Sequence, residues 1–289
     1  MTKRSSIVGH RLQLEALIRQ ESNPAYQRQY YMAKEWQLSL WKDEVSDSMF
    51  IPLAESTTER GSPRSVIPSA PLPPSGICPM WREKICEWQY EVVDQFDLDR
   101  EIVSISTFYL DRYLSLHFVD EDLFQLVSMT SIYLAIKIHS YKKVSIQSIA
   151  AMGRGFISVD HITEMELSMM QALDWHLHPP TPVAFVENIF PLLLEKMKND
   201  PDFTKNDFVE FSRFLTELSV CAYPFIAAMP SSVAIAAILY SIEHYQLSEE
   251  YQDSLQKIAN SLCLDVHAHE VEECGKLLRR VYRLAVPTD

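Results

Sequence analysis

The stretch "TFYLDRYLSLHF", residues 107–118, decides the fold of this chain. It lies in a run from Ile102 to Val119 in which Asp111 and Arg112 are the only acidic or basic residues, histidine aside. A helix that is apolar on nearly every side belongs in the centre of a domain rather than on its surface. A carboxylate in such a helix needs a partner, because an isolated buried charge costs more than a fold can tolerate. The run therefore predicts a central helix that carries a buried ion pair.

Arg82 is the candidate partner of Asp111. It lies six residues before Trp88, in a helical pattern whose other positions are largely apolar or aromatic. A bidentate contact between guanidinium and carboxylate would satisfy both charges and hold two helices together. In the alternative, Asp111 faces solvent with the small polar residues that share its helical stripe, Ser104, Thr107 and Ser115.

Composition indicates an all-α protein that binds other proteins. Of the 289 residues 47% are hydrophobic and only 6 are glycine, whereas sheets need frequent turn glycines. The net charge of -13 argues against contact with nucleic acid or an anionic membrane. Five cysteines without a CxxC pair suggest reduced thiols, which predicts a location in the nucleus or cytoplasm. The chain has no apolar run of 18 residues, so we expect no membrane span.

Helical patterns divide the chain into four parts. We predict an N-terminal helical extension at residues 1–50, a Pro/Ser-rich linker at 51–78, and two five-helix units at 79–180 and 181–285. The run "SSVAIAAILYSIEHY" in the second unit is the counterpart of "LVSMTSIYLAIKIHSY" in the first, which favours a tandem repeat. We expect the helices of the extension to pack on the first unit or on a partner.

Two further lone charges lie in apolar helices. Lys137 is the only charge in "LFQLVSMTSIYLAIKI", and Glu166 lies in "MELSMMQALDW". From chemistry alone the simpler explanations are favoured: a lysine that reaches solvent near a helix C-terminus, and a solvated glutamate in the first turn of a helix.

Several motifs in the first unit together resemble the cyclin box. They are "MWREKICEWQYEVV", "YLDRYLSL", "LVSMTSIYLAIKI" and "EMELSMMQALDWHLHPPTPVAFV", and the pattern is most similar to D-type, G1 cyclins. The second unit resembles the C-terminal cyclin fold through "FLTELSVCAYPFIAAMPSSVAIAAILYSIEH". The resemblance implies two tandem cyclin-like domains and a protein that is not an enzyme. It implies a regulatory subunit that binds and activates a cyclin-dependent kinase and so controls cell-cycle progression.

The resemblance also assigns roles to individual residues. Lys137 and Glu166 match the lysine and glutamate that hydrogen-bond the kinase around its αC helix, and Arg82 and Asp111 match the family's buried pair. The positions of apolar kinase contacts are Leu134, Ile138, Met170 and Trp175. The family often has acidic residues directly after the lysine, whereas His139 follows Ile138 here, which bears on the choice of kinase.

A second surface is implied on the first helix of the box. Many cyclins dock kinase substrates or inhibitors that carry an Arg-x-Leu motif there. The matching positions are Trp81, Ile85, Trp88, Glu91 and Gln125. Lys84 lies among them, where the family usually has a smaller, apolar residue, so a basic motif would be repelled.

Other classes of protein fit the sequence less well. Cys263, His267, His269 and Cys274 lack the ligand spacing of a zinc site, and the paired ExxH motifs of a di-iron bundle enzyme are absent, so we expect neither metal nor cofactor. A cyclin-fold scaffold that serves transcription or binds peptides without activating a kinase stays open as the alternative function.

Overall fold

The computed structural model describes residues 3–28, 77–196 and 205–286. Within these ranges the chain forms eleven α-helices and no strand, so the all-α prediction is confirmed for the described residues. The first helix is α1 (Lys3–Glu21), and short 3-10 helices lie at Pro24–Tyr26 and Tyr223–Phe225. Residues 29–50, and all but the last two residues of the predicted linker at 51–78, lie outside the described ranges.

Each of the two tandem units has five helices. The first contains α2 (Pro79–Gln95), α3 (Glu101–Leu116), α4 (Glu121–His139), α5 (Ile146–Met152) and α6 (Val159–Ala172). The second contains α7 (Pro182–Lys196), α8 (Lys205–Cys221), α9 (Pro230–His244), α10 (Glu249–Ser261) and α11 (His269–Ala285). Two separate hydrophobic cores correspond to the two units.

Local sequence explains where several helices begin. The Asp120 side chain accepts a hydrogen bond from the backbone N–H of Leu123 at 2.9 Å and so caps α4. Ser158 and His161 form a reciprocal capping box at the start of α6. Helices α2 and α9 begin with proline, which lacks the N–H that would be left unbonded in the first turn.

Helix α3 is the centre of the first unit. Eleven of its sixteen residues are buried, including Asp111, and it packs against α4. Polar residues on this buried face bond one another: Ser106 Oγ lies 3.0 Å from Ser131 Oγ on α4. Because Asp111 is 0% exposed, the alternative in which this carboxylate faces solvent is wrong.

The N-terminal helix α1 packs on the second unit. The prediction from the sequence was that the extension packs on the first unit or on a partner, so for α1 this prediction is wrong. Helix α1 lies against α7, and Leu14 and Leu17 are buried in the second core. At its end, the carboxylate of Glu21 accepts a hydrogen bond from the backbone N–H of Ser231 at 3.0 Å, in the first turn of α9. A negative charge is favourable at a helix N-terminus, while burial raises the pKa of Glu21 above its ordinary value. The apolar side chains and this cap together explain the location of α1.

Charged groups join the two units along one side of their junction. The guanidinium of Arg100, which precedes α3, donates to Glu217 on α8 at 2.9 Å and lies 4.5 Å from the centre of the Tyr90 ring. Nearby, Thr181, which lies in the segment that links α6 to α7, donates a hydrogen bond to the carboxylate of Glu101 on α3. Burial raises the pKa of Glu101 above its ordinary value.

The stability of the junction should therefore depend on pH through Glu101. With a raised pKa in the folded state, the folded protein binds the proton more readily than the unfolded chain, so unfolding becomes easier as pH rises above the ordinary pKa of 4.5. Glu101→Gln should be more stable than the wild type at pH 7, and the difference should shrink as the pH falls to 4.5 and below. Urea unfolding between these pH values measures this. Glu164→Gln, at an exposed site on α6, is the control. A difference in stability between Glu101→Gln and the wild type that grows as the pH falls would contradict the prediction.

Candidate functional site

The structure brings Arg82 and Asp111 together in a buried bidentate pair. Arg82 Nε donates to Asp111 Oδ1 at 2.8 Å, and Arg82 Nη2 donates to Oδ2 at 2.9 Å. The two residues are 1% and 0% exposed. Two parallel charge-assisted hydrogen bonds satisfy the donors and acceptors that would otherwise be buried without partners.

The same arginine also reaches the second unit. Arg82 Nη1 donates to the backbone carbonyl oxygens of Val220 and Cys221, at 2.9 and 2.8 Å, at the end of α8. From the N-terminal segment, Arg28 Nη1 lies 3.4 Å from Asp111 Oδ2. The pair therefore holds the junction of the two units and the N-terminal segment, as well as α2 and α3. The contacts of Arg82 with Val220 and Cys221, and of Asp111 with Arg28, were not predicted, because nothing in the spacing of these residues in the sequence indicates them.

Lys137 and Glu166 lie together on one side of the first unit. Lys137 Nζ, in the last turn of α4, donates to Glu166 Oε1 on α6 at 2.6 Å. The lysine side chain is 51% exposed and the glutamate side chain 9%. Their hydrogen bond raises the pKa of the Lys137 ammonium above its ordinary value. Lys137 and Glu166 thus form one ion pair of fixed polarity, with an exposed ammonium and a buried carboxylate. The alternative in which Glu166 is a solvated residue of the first turn is wrong, because it is the eighth residue of α6 and is buried.

Apolar residues lie near this ion pair along α4, α6 and the turn that follows α6. Ile138 and Met170 are half-buried, and Trp175 is 61% exposed. The backbone N–H of Trp175 donates to the Met170 carbonyl at 3.1 Å, so the turn that carries this tryptophan folds back on the end of α6. Leu167 follows Glu166 directly and is 50% exposed, so we count it with these residues. It was not among the predicted contacts, although its place between Glu166 and Met170 was a usable signal.

Leu134 is a correction to the predicted set of contacts. It is 1% exposed and belongs to the first hydrophobic core, so it is not available to a partner. Helix α4 packs against both α3 and α6, which leaves only a narrow strip of it facing solvent. Lys137 lies on that strip, whereas the residue three positions earlier faces the core. We call Lys137, Glu166, Ile138, Leu167, Met170 and Trp175 together the α4/α6 face. In it, Lys137, Leu167 and Trp175 are exposed, Ile138 and Met170 are half-buried, and Glu166 is buried beneath Lys137.

The predicted docking groove lies along α2 and the start of α4. Trp81, Ile85 and Trp88 are half-buried and pack on the first core, while Glu91 is exposed and Gln125 is half-buried. The Trp81 ring lies 6.1 Å from that of Phe124, the residue before Gln125. Glu91 is ten residues beyond Trp81, about 15 Å along the helix. Lys84 is exposed and pairs with Glu87 at 2.8 Å, which offsets the positive charge that was expected to repel a basic motif.

The described residues contain no group of side chains that could hold a metal ion. Of the cysteines and histidines near the chain end, Cys274 is buried, whereas Cys263 and His269 are exposed. Within the described ranges, no three metal-binding side chains converge, and no helix is both long and apolar enough to cross a bilayer.

Comparison with known proteins identifies two adjacent family matches. Residues 58–178 match the cyclin N-terminal domain and residues 180–288 the cyclin C-terminal domain. Cyclin-A3-3 of Arabidopsis thaliana is 25% identical over 72% of this chain and 65% of its own length. G1/S-specific cyclin-D1 of Homo sapiens is 26% identical over 59% of this chain and 56% of its own length. The chain thus spans between about half and two thirds of these relatives.

Solved structures show the same fold. A viral cyclin from herpesvirus saimiri aligns over 73% of this chain and 89% of its own length, with a TM-score of 0.56 and 14% identity. The yeast TFIIK complex (Kin28/Ccl1/Tfb3) contains a chain that aligns over 69% of this chain and 85% of its own, with a TM-score of 0.52 and 16% identity. At this level of identity the likeness establishes the arrangement of helices and no more.

Proposed function

This chain belongs to the cyclin family, and from that premise we propose that it is a regulatory subunit that binds and activates a cyclin-dependent protein kinase. The single observation that carries the proposal is the α4/α6 face, where an ion pair of fixed polarity lies on the same two helices as exposed and half-buried apolar side chains. An apolar centre with a few oriented charges is the composition of a stable protein interface. The protein would itself catalyse no reaction.

The proposed mechanism is a shift between two states of the kinase. A protein kinase is active when the lysine of its β3 strand pairs with the glutamate of its αC helix, and the position of αC controls this pairing. A surface that binds only the inward position of αC stabilises the active state by the difference in its affinity for the two positions. Ile138, Leu167, Met170 and Trp175 would supply most of the affinity, and Lys137 with Glu166 would set the orientation.

Rigidity of the α4/α6 face supports this mechanism. Helix α4 is packed between α3 and α6, and the Lys137–Glu166 hydrogen bond of 2.6 Å ties its end to α6. A surface that is already in its binding geometry pays little conformational entropy when it binds, so more of the contact energy remains for the kinase.

A role in cell-cycle progression, in the nucleus or cytoplasm, is the finer part of the proposal. The sequence likeness to G1/S-specific cyclin-D1 supports it. The fold likeness to a chain of the TFIIK complex supports a second candidate, a cyclin-fold subunit that serves transcription. Kinase substrates or inhibitors would dock along Trp81, Ile85 and Trp88, beside the ion pair of Lys84 and Glu87.

Kinase activation in a purified system tests the proposal. The chain is mixed with each member of a panel of cyclin-dependent kinases, and binding and peptide phosphorylation are measured together. We expect at least one kinase to bind and to gain activity, and Lys137→Ala to abolish the gain. Lys257→Ala, at an exposed site on α10, is the control and should change neither. Binding without activation would favour the scaffold function, and absence of binding across the panel would overturn the proposal.

A further inference from the structure

The turn that displays Trp175 has an uncommon backbone conformation. Asp174 and Trp175 have φ angles of 48° and 59°, so two successive residues other than glycine adopt left-handed backbone geometry. This region is unfavourable for large side chains, and residues stay in it only where the surroundings hold them. Groups that contact residues 174–178 must therefore stabilise this backbone conformation.

Two side chains from the first unit converge on this turn. Tyr109 Oη, from α3, donates to the carbonyl oxygen of Leu177 at 2.5 Å, and His139 Nε2, from the end of α4, lies 2.8 Å from the same oxygen. Tyr109 Oη and His139 Nε2 are 3.1 Å apart. A carbonyl oxygen only accepts hydrogen bonds, so His139 Nε2 must carry the hydrogen. One backbone oxygen is thus bonded by two different helices of the box.

The N-terminal segment contacts the other side of the turn. The Tyr26 ring lies 5.5 Å from the His176 ring in an edge-to-face arrangement. The rings of His139 and His178 also meet, at 4.9 Å. Tyr109 is 0% exposed, so its hydroxyl is available only to these neighbours. None of these contacts involves Lys137 or Glu166, yet His139 is two residues from Lys137, and Leu177 is two residues from Trp175.

We infer that Tyr109 and His139 are positioning residues, which fix the Trp175 turn beside the end of α4 through their shared bonds to the Leu177 carbonyl. The inference rests on the proposed function for its consequence, since the turn carries one of the proposed kinase contacts. The contacts of Tyr109 and His139 described above are all with other residues of this chain.

Local hydrogen exchange tests the positioning directly. Tyr109→Phe and His139→Leu each remove one donor to Leu177, and we expect the backbone amides of residues 174–178 to exchange about tenfold faster. His139→Gln retains a side-chain N–H and should restore slow exchange. Tyr113→Phe is the matched control, because Tyr113 Oη lies 3.2 Å from Ser168 Oγ on α6 rather than at the Leu177 carbonyl. Exchange in Tyr109→Phe and His139→Leu that matches the wild type at residues 174–178 would overturn the inference, and so would acceleration spread evenly over the first unit.

Kinase affinity measured on the same variants separates this inference from the proposed function. We expect Tyr109→Phe and His139→Leu to bind the kinase about tenfold more weakly, and His139→Gln and Tyr113→Phe to bind like the wild type. Faster exchange with unchanged affinity would overturn the role of the turn in binding and leave the proposed function intact. If the wild type binds no kinase, the proposed function fails, and the exchange data still decide whether Tyr109 and His139 hold the turn.

Discussion

Replacing Asp111 with alanine is expected to lower the free energy of unfolding by about 3–5 kcal/mol, because the change leaves a buried guanidinium without its counter-charge. Arg82 is 1% exposed and cannot turn to solvent without opening the core. Its bonds to the carbonyls of Val220 and Cys221 are made to neutral oxygens, so they do not replace the charge of Asp111. Urea unfolding of the purified chain measures the loss.

The surface offers a matched control for this experiment. Arg100 Nη1 contacts both carboxylate oxygens of Asp94, at 2.8 and 2.7 Å, and the two side chains are 43% and 54% exposed. Asp94→Ala removes a largely exposed guanidinium–carboxylate contact, in which one arginine nitrogen reaches both carboxylate oxygens, and should cost less than about 1 kcal/mol. Equal losses in the two variants would mean that burial is not what makes the Arg82–Asp111 pair important.

A second variant checks the cause of the loss. Replacing both partners with apolar residues, as in Arg82→Met with Asp111→Leu, removes the buried charges together. The double variant should be more stable than Asp111→Ala alone, since pairs replaced by apolar side chains often retain stability. A double variant no more stable than Asp111→Ala would show that the loss comes from packing rather than from an unpaired charge.

Exchanging the two charges of the α4/α6 face is expected to abolish kinase activation while the chain stays folded. The double variant Lys137→Glu with Glu166→Lys keeps an ion pair between α4 and α6 but presents the opposite polarity to a partner. Charges that are complementary across an interface become repulsive when reversed, which should weaken kinase affinity at least about 100-fold. The ion pair is partly exposed, so the midpoint of urea unfolding should move little.

A distant ion pair serves as the control for the exchange. Lys276 and Glu273 are paired at 2.7 Å on α11, with side chains 66% and 46% exposed. The double variant Lys276→Glu with Glu273→Lys makes the same change of charge in the second unit and should leave kinase activation unchanged. Activation by the α4/α6 variant at the wild-type level would remove the orienting role proposed for Lys137 and Glu166.

Much of the fold could be predicted because it depends on local pattern. The run from Ile102 to Val119 is apolar at nearly every position, and its helix is buried in the centre of the first unit. Scarcity of glycine and periodic apolar residues indicated helices throughout, and the described residues form helices without strands. Asp111 and Lys137 were visible because each lies in a long apolar run, whereas Arg82 and Glu166 have charged neighbours and were assigned with the help of the resemblance. The domain boundaries at 79, 180 and 285 stay predictions.

The sequence by itself determined that this protein is built from helices, which helix is central, and that its few charges within apolar helices need partners. These properties follow from residue type and a period of 3.6, which act over neighbouring positions. Other features became known only from the tertiary structure: α1 lies on the second unit, and Leu134 faces the core. Arg82 also bonds Val220, which is 138 positions away, and Tyr109 and His139 meet at the carbonyl of Leu177. Such contacts depend on how whole helices pack against one another, and a pattern that repeats along one helix carries no record of the angle at which it meets the next.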